Sequence, residues 1–145
     1  MHEFGISFFG KVAKNRISSG QFVHSLIKLG LEVERGHASI ELWSTEQYLD
    51  HWVHSAGMIF SGEEAAIFCG SLEPINADTW VGLNDGKVVR FYNSIQKTST
   101  LNVSWPSITP FGSVRDNVGD PEPHWSCWEV PIACVKALSE GGGKV

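Results

Sequence analysis

A chain of 145 residues, 42% hydrophobic and 19% charged, can bury roughly two-thirds of its unfolded surface in a single core and needs no staples to do so. That composition excludes intrinsic disorder over most of the length. The three cysteines, odd in number and without a Cys-x-x-Cys pair, exclude a disulfide framework and point to a reducing compartment, while a net charge of −5 disfavours nucleic-acid partners, whose phosphates dominate such affinity.

The opening residues Met1–Gly10 lack a basic leader followed by a long apolar run, and every purely apolar run is far shorter than a membrane span, so a cytoplasmic protein without a membrane partner is expected. Residues 3–9 read as a first strand with Phe4, Ile6 and Phe8 on one face, and Gly10 with the polar run 11–19 as a loop. Ser18 or Ser19 then caps a helix over about 20–29. Its apolar positions Phe22, Val23, Leu26, Ile27 and Leu29 fit the 3.6-residue period, with Lys28 and Gly30 as stop signals. A hairpin follows in two alternating runs, Leu31–Glu34 and Ala38–Trp43, joined by Arg35-Gly36-His37. Leu31, Val33, Ala38, Ile40 and Leu42 are expected inward, and Glu32, Glu34, Ser39, Glu41 and Trp43 outward.

Ser44-Thr-Glu-Gln47 matches a capping box and opens a helix to about Ser55 that Gly57 ends. Leu49, Trp52, Val53 and Ala56 form its buried stripe; Glu46, Asp50 and His54 line an exposed edge. Ser61-Gly-Glu-Glu64 is a second candidate box, and Ala65–Cys69 after it fits a short helix and a buried strand equally. The clearest signal is Ala77–Tyr92. Two runs rich in β-branched and aromatic residues flank Asn84-Asp85-Gly86, a hairpin turn whose glycine supplies positive φ. Trp80, Gly82 and Asn84 share one face of it; Thr79, Val81 and Leu83 share the other. Leu101–Trp105 reads as a strand stopped by Pro106, residues 106–124 as a proline-rich ordered loop or arm, and Trp125–Val130 as a last strand. Ile132–Leu138 fits a strand or a short helix. These elements predict an α+β fold in one globular domain over residues 1–138, a mainly antiparallel β-sheet with two or three helices packed on one face, and a flexible tail over 139–145.

Chemistry-bearing motifs are sparse. His51-x-x-His54 places two imidazoles at helical neighbours, a spacing that can share a metal. No further ligand motif accompanies it, two solvated histidines are the plainer reading, and neither metal nor cofactor is expected. Cys69, Cys127 and Cys134 lie in a chain that also holds His37 and His124, yet no nucleophile signature surrounds any of them, and each reads more plainly as a small buried apolar residue. The glycines before Lys144 lack the strand and helix of a phosphate-binding loop.

Charge is more informative. From Leu29 to Gly86 the chain carries ten acids and a single base, Arg35, whereas residues 1–28 and 87–115 are basic. Such blocks speak of partners rather than of fold, and an acid-only centre attracts basic proteins. Six tryptophans are many for this length. Trp52 lies on the apolar stripe of a helix and reads as core, while an outward Trp43 beside acids has the chemistry of a protein-binding face. The expected contact set is Glu32, Glu34, Glu41, Trp43, Glu46, Asp50, Glu63, Glu64, Asp78 and Asp85.

The acid-only centre from Glu32 to Asp85, the tryptophans beside it and the lack of a catalytic signature resemble, in type, a bacterial toxin-immunity protein of the contact-dependent growth-inhibition kind. The resemblance implies tight binding of a cognate toxin, often a basic nuclease whose phosphate-attracting cleft a carboxylate-rich surface would occupy. Two other classes stand beside it: a small cytosolic hydrolase using a His/Asp or Cys site, and an adaptor or subunit of another complex.

Overall fold

The computed structural model describes residues 3–14, 20–111 and 126–141. In chain order its elements are β1 (Glu3–Lys14), β2 (Gln21–Gly30), β3 (Glu32–Ser39), α1 (Thr45–Phe60), β4 (Ala65–Leu72), β5 (Asn76–Asn84), β6 (Val88–Lys97), a 3-10 turn (Thr98–Thr100), β7 (Leu101–Ser104), β8 (Ser107–Pro110), β9 (Trp128–Pro131) and α2 (Ile132–Ser139). Every strand pairing among them is antiparallel. The strands divide into three sheets, ordered β1-β2-β3, β4-β5-β6-β9 and β7-β8. This is the expected α+β class, and no helix among the described residues is long and apolar enough to cross a membrane.

The hairpin read from Asn84-Asp85-Gly86 forms as its sequence asks. Gly86 takes φ 91°, the Asn84 side chain accepts from its backbone N–H at 2.9 Å, and Trp80, Gly82 and Asn84 sit opposite Asn93, Phe91 and Val89. The capping box at Ser44 also forms, with Ser44 Oγ accepting from Gln47 N–H and Gln47 Oε1 accepting from Ser44 N–H. The helix passes Gly57 and ends at Phe60.

Several expectations are overturned. Residues 20–29 are not a helix but β2, because Val23, Ser25, Ile27 and Leu29 alternate inward; Ser25 is the polar member that hides the two-residue period. Gly30, read as a helix stop, is instead the positive-φ residue of a two-residue hairpin turn with Leu31. It follows that Arg35-Gly36-His37 lies inside a continuous β3 rather than at a turn, and Leu31 and Val33 are 73% and 52% exposed instead of buried. Trp43, expected outward, is 4% exposed and packs its ring against Tyr48 and His51. It enters the core because β3 ends at Ser39 and the chain turns before α1, so no strand alternation governs its direction. Beyond Gly10 the chain stays extended to Lys14 instead of looping, and Ala65–Leu72 resolves as a strand, buried along its whole length. Trp125 lies outside the described residues.

The main core fills the space between the first two sheets. Phe4, Ile6, Ile27 and Leu29 from one sheet meet Phe68, Trp80, Phe91 and Val130 from the other, with Trp52, Ala56 and Ile59 of α1 and Val135 and Leu138 of α2 closing the side. A smaller core lies behind the second sheet, where Leu101 and Ile108 of the β7-β8 hairpin meet Ile67, Cys69, Trp43 and Tyr48.

β4 is the edge of its sheet, and an edge strand leaves a row of backbone groups unpaired. Side chains of α1 take the place of the missing strand. Cys69 N–H donates to His51 Nε2 at 2.9 Å, Trp52 Nε1–H donates to Cys69 O at 2.8 Å, Ser55 Oγ donates to Ile67 O at 2.7 Å, and Leu72 N–H donates to the Tyr48 hydroxyl at 2.8 Å. The register shift between Cys69 and Ser71 makes Gly70 a bulge, which turns the next outward-facing group, the Leu72 amide, toward Tyr48.

Candidate functional site

Strand register explains why a cleft opens at one end of the two inner faces. On the first sheet the inward pleat runs Phe4-Leu29-Glu32, Ile6-Ile27-Glu34 and Phe8-Ser25-Gly36 across β1, β2 and β3. The inward pleat is therefore apolar along most of β1 and β2 and turns acidic, then small, on the edge strand β3. On the second sheet the inward pleat turns polar at Asn93, opposite Trp80, and at Asp78 beyond it. Where the two polar ends face each other there is a cleft of about 210 Å³, walled by Ser25, Ile27, Glu34 and Gly36 on one side and by Gly70, Asp78, Trp80, Asn93 and Trp128 on the other. Arg35 and His37 also line it. They occupy the opposite pleat of β3 and so belong to its rim.

The cleft is not internally satisfied. Glu34 is half-buried, and no ion pair joins it to another described residue. Asp78 Oδ1 accepts from Asn93 Nδ2 at 2.6 Å. Burial pushes its carboxyl above the usual carboxylate range, against the opposing pull of that hydrogen bond and of the nearby His37. Trp80 is 5% exposed, and its indole N–H is buried without a hydrogen-bond partner among the described residues. The Trp80 ring stands edge-on to Trp128, with centroids 5.4 Å apart.

Apart from Glu32 at the start of β3, the other acids of the expected contact set fall in two further groups. Glu41, Glu46 and Asp50 lie around the start of α1. There Glu41 Oε1 accepts from Gln21 N–H at 2.6 Å, Glu46 occupies the first helical turn, and Asp50 is half-buried. Glu63, Glu64 and Asp85 gather at the far end of the central hairpin, where Asn84 bonds to the carbonyls of Glu63, Glu64 and Ile59. Folding also undoes part of the charge segregation seen in the sequence. Asp85 of the acidic block pairs with Arg90 of the basic one at 2.6 Å, while Glu3 pairs with Lys28 inside its own block at 2.6 Å. Glu32, Glu46, Glu63 and Glu64 remain exposed and form no ion pair among the described residues.

His51 and His54 do not form a pair of solvated imidazoles. His54 is exposed, but His51 is fully buried. Its Nε2 accepts from Cys69 N–H, so the ring proton sits on Nδ1 and donates to Pro106 O at 2.7 Å. Burial lowers its pKa to about 4, and the ring is neutral at pH 7. Both nitrogens are committed to the fold, and neither can bind a metal. Cys69 is equally committed, with burial pushing its thiol well up, away from the thiolate a nucleophile needs. His124 lies outside the described residues, and no group of three or more His, Cys, Asp or Glu able to hold a metal occurs among the described ones. Sequence reasoning missed Trp80 and Trp128 as cleft walls; the alternation had put Trp80 on the Gly82 face, but what that face meets depends on the distant β3.

The sequence matches no family model and no curated protein. The fold does have a counterpart. It is the fold of a chain in a toxin and immunity complex. That complex, CdiA-CT/CdiI from Enterobacter cloacae, contains a chain that superposes with a TM-score of 0.72 at 18% identity, over 98% of this chain and 99% of the other. An agreement over the whole length of both chains leaves no domain of either unmatched, and the α+β architecture described above is shared from β1 to α2.

Proposed function

We propose that this chain is an immunity protein, a non-enzymatic inhibitor that binds and neutralises a cognate toxin. The whole-length likeness to a chain of a toxin and immunity complex carries this reading. We read the toxin as a basic protein of nuclease type. A nuclease must attract phosphate, so its cleft is positive, and the carboxylates of Glu32, Glu34, Glu46, Glu63 and Glu64, which form no ion pair among the described residues, suit such a surface. Complementary charge would also speed encounter, which matters to an inhibitor that competes with substrate. Asp50, Asp78, Asp85 and Glu41 complete the acidic set, whereas buried Trp43 supports it from beneath and is not itself a contact. The inhibitor would act in the cytoplasm of the cell it protects.

The test is co-purification of the tagged chain from its native host, identification of the captured protein, and co-expression of the two in a toxin-sensitive host. Capture of a basic protein whose expression arrests growth, with growth restored by this chain, is the expected result. A captured partner that leaves growth untouched would overturn the reading.

A further inference from the structure

We infer that the cleft between β3 and β5 is the socket for one arginine side chain of the partner, with the guanidinium held between Glu34 and Asp78 and lying against the indoles of Trp80 and Trp128. This rests on the immunity reading and names the contact through which the basic partner is held. Four features carry it. The two acidic residues come from different sheets and line the same space of about 210 Å³, the volume of roughly seven liquid waters at about 30 Å³ each and enough for a long side chain. Glu34 forms no ion pair among the described residues, and the one Lys or Arg of its strand, Arg35, belongs to the opposite pleat and reaches the cleft only at its rim. Two indoles line the same space, and a planar cation that forms forked hydrogen bonds to carboxylates and stacks on aromatic rings is arginine rather than lysine. Lastly, the buried Trp80 N–H has no acceptor among the described residues; a guanidinium only donates, so a backbone carbonyl beside that arginine would supply the acceptor, and the ring edge that carries the N–H lies toward Gly70, where an added Cβ would stand 3.8 Å from Trp80 Cδ1. The cleft is thus short of partners on both its acidic and its indole walls.

The same geometry explains two glycines. An added Cβ at Gly70 would meet Ile27 Cδ1 at 3.3 Å, and one at Gly36 would meet Ser25 Oγ at 3.3 Å. Side chains at either place would occupy the walls of the socket.

The experiment uses the full chain, labelled with ¹⁵N, and the blocked tripeptide acetyl-Gly-Arg-Gly-amide as probe, with citrulline in place of arginine as its neutral isostere. Saturable movement of the Trp80 and Trp128 indole N–H signals by the arginine peptide is expected. Binding should be at least tenfold weaker for the citrulline peptide and for Glu34→Gln and Asp78→Asn, two isosteric changes that keep the fold intact, as unchanged spectra elsewhere would confirm. No saturable movement, equal binding of citrulline, or full affinity in both variants would overturn the socket. The two readings fail separately. A chain that rescues growth yet ignores the arginine peptide keeps the immunity role and loses the socket. One that binds the peptide but never captures a toxin loses the partner assignment along with the immunity reading.

Discussion

At Gly82 the structure leaves no room for a side chain. The residue sits opposite Phe91 in register, and a Cβ there would lie 2.9 Å from Phe91 Cε1 and 3.1 Å from Val89 Cγ1. Both neighbours are buried core and cannot swing into solvent. Gly82→Ala should therefore cost about 1–3 kcal/mol, the usual penalty of overpacking, read as a lower urea midpoint at unchanged slope. His51 makes a second residue-scale prediction. Its imidazole titrates near 6.5 when unfolded and near 4 when folded, so between those pH values the unfolded chain holds a proton that the folded chain does not. Stability then rises with pH across that window and is lost as pH falls from about 6.5 to 4, by about 3 kcal/mol at 1.36 kcal/mol per pH unit. Denaturant titrations at pH 7 and pH 4.5 should show that loss. In His51→Gln the slope from this group should vanish, while stability at pH 7 drops by about 1–3 kcal/mol because the Cys69 N–H or the Pro106 carbonyl loses its partner.

Among the elements, α1 matters less as a helix than as a replacement strand. Tyr48 shows this best: its hydroxyl donates to Ser39 O at 2.6 Å and accepts from Leu72 N–H, tying the end of β3 to the edge of β4. Tyr48→Phe should leave both groups buried and unpaired, at about 1–3 kcal/mol. In native-state hydrogen exchange the Leu72 amide should lose protection selectively, while Cys69, bonded to His51, keeps its own. What was legible in the sequence follows the same division between local and distant causes. The capping box at Ser44 and the Asn84-Asp85-Gly86 turn are made by residues next to one another, and both appear as read. β2 was misread because Phe22, Val23, Leu26, Ile27 and Leu29 satisfy a helical period as well as they satisfy alternation. The choice is made by β1 and β3, which pair with it on both sides. His51 was misread as solvated, and Tyr48 was passed over, for a related reason: their partners, Cys69 and Leu72, lie on an edge strand whose exposure no local pattern reveals. The cleft was illegible altogether, since it needs Glu34 and Asp78 from two sheets.

For the whole molecule the question is how one partner could use acids placed at different ends. Asp78 and Asn84 stand six residues apart on β5, about 20 Å at roughly 3.3 Å per residue. A standard interface covers about 800 Å² on each partner, a patch wide enough to hold the cleft and the Glu63-Glu64 end together. Within such a patch the two acidic groups should behave differently. Glu63 and Glu64 are exposed and unpaired among the described residues, so their charge acts at a distance and is screened over about 8 Å at physiological salt. In the proposed socket Glu34 and Asp78 would act inside a cleft, on a cation that must first shed its water. Reversing Glu63 and Glu64 to Lys should slow association with the captured toxin, most at low ionic strength, and leave dissociation nearly unchanged. Glu34→Gln should do the opposite, speeding dissociation at all salt concentrations with little effect on the association rate, because a buried charge pair is felt only after docking. Surface-binding kinetics at 50 and 500 mM salt would separate the two. If both variants altered association alone, the acids would be acting only as a diffuse field, and no part of this surface would grip its partner.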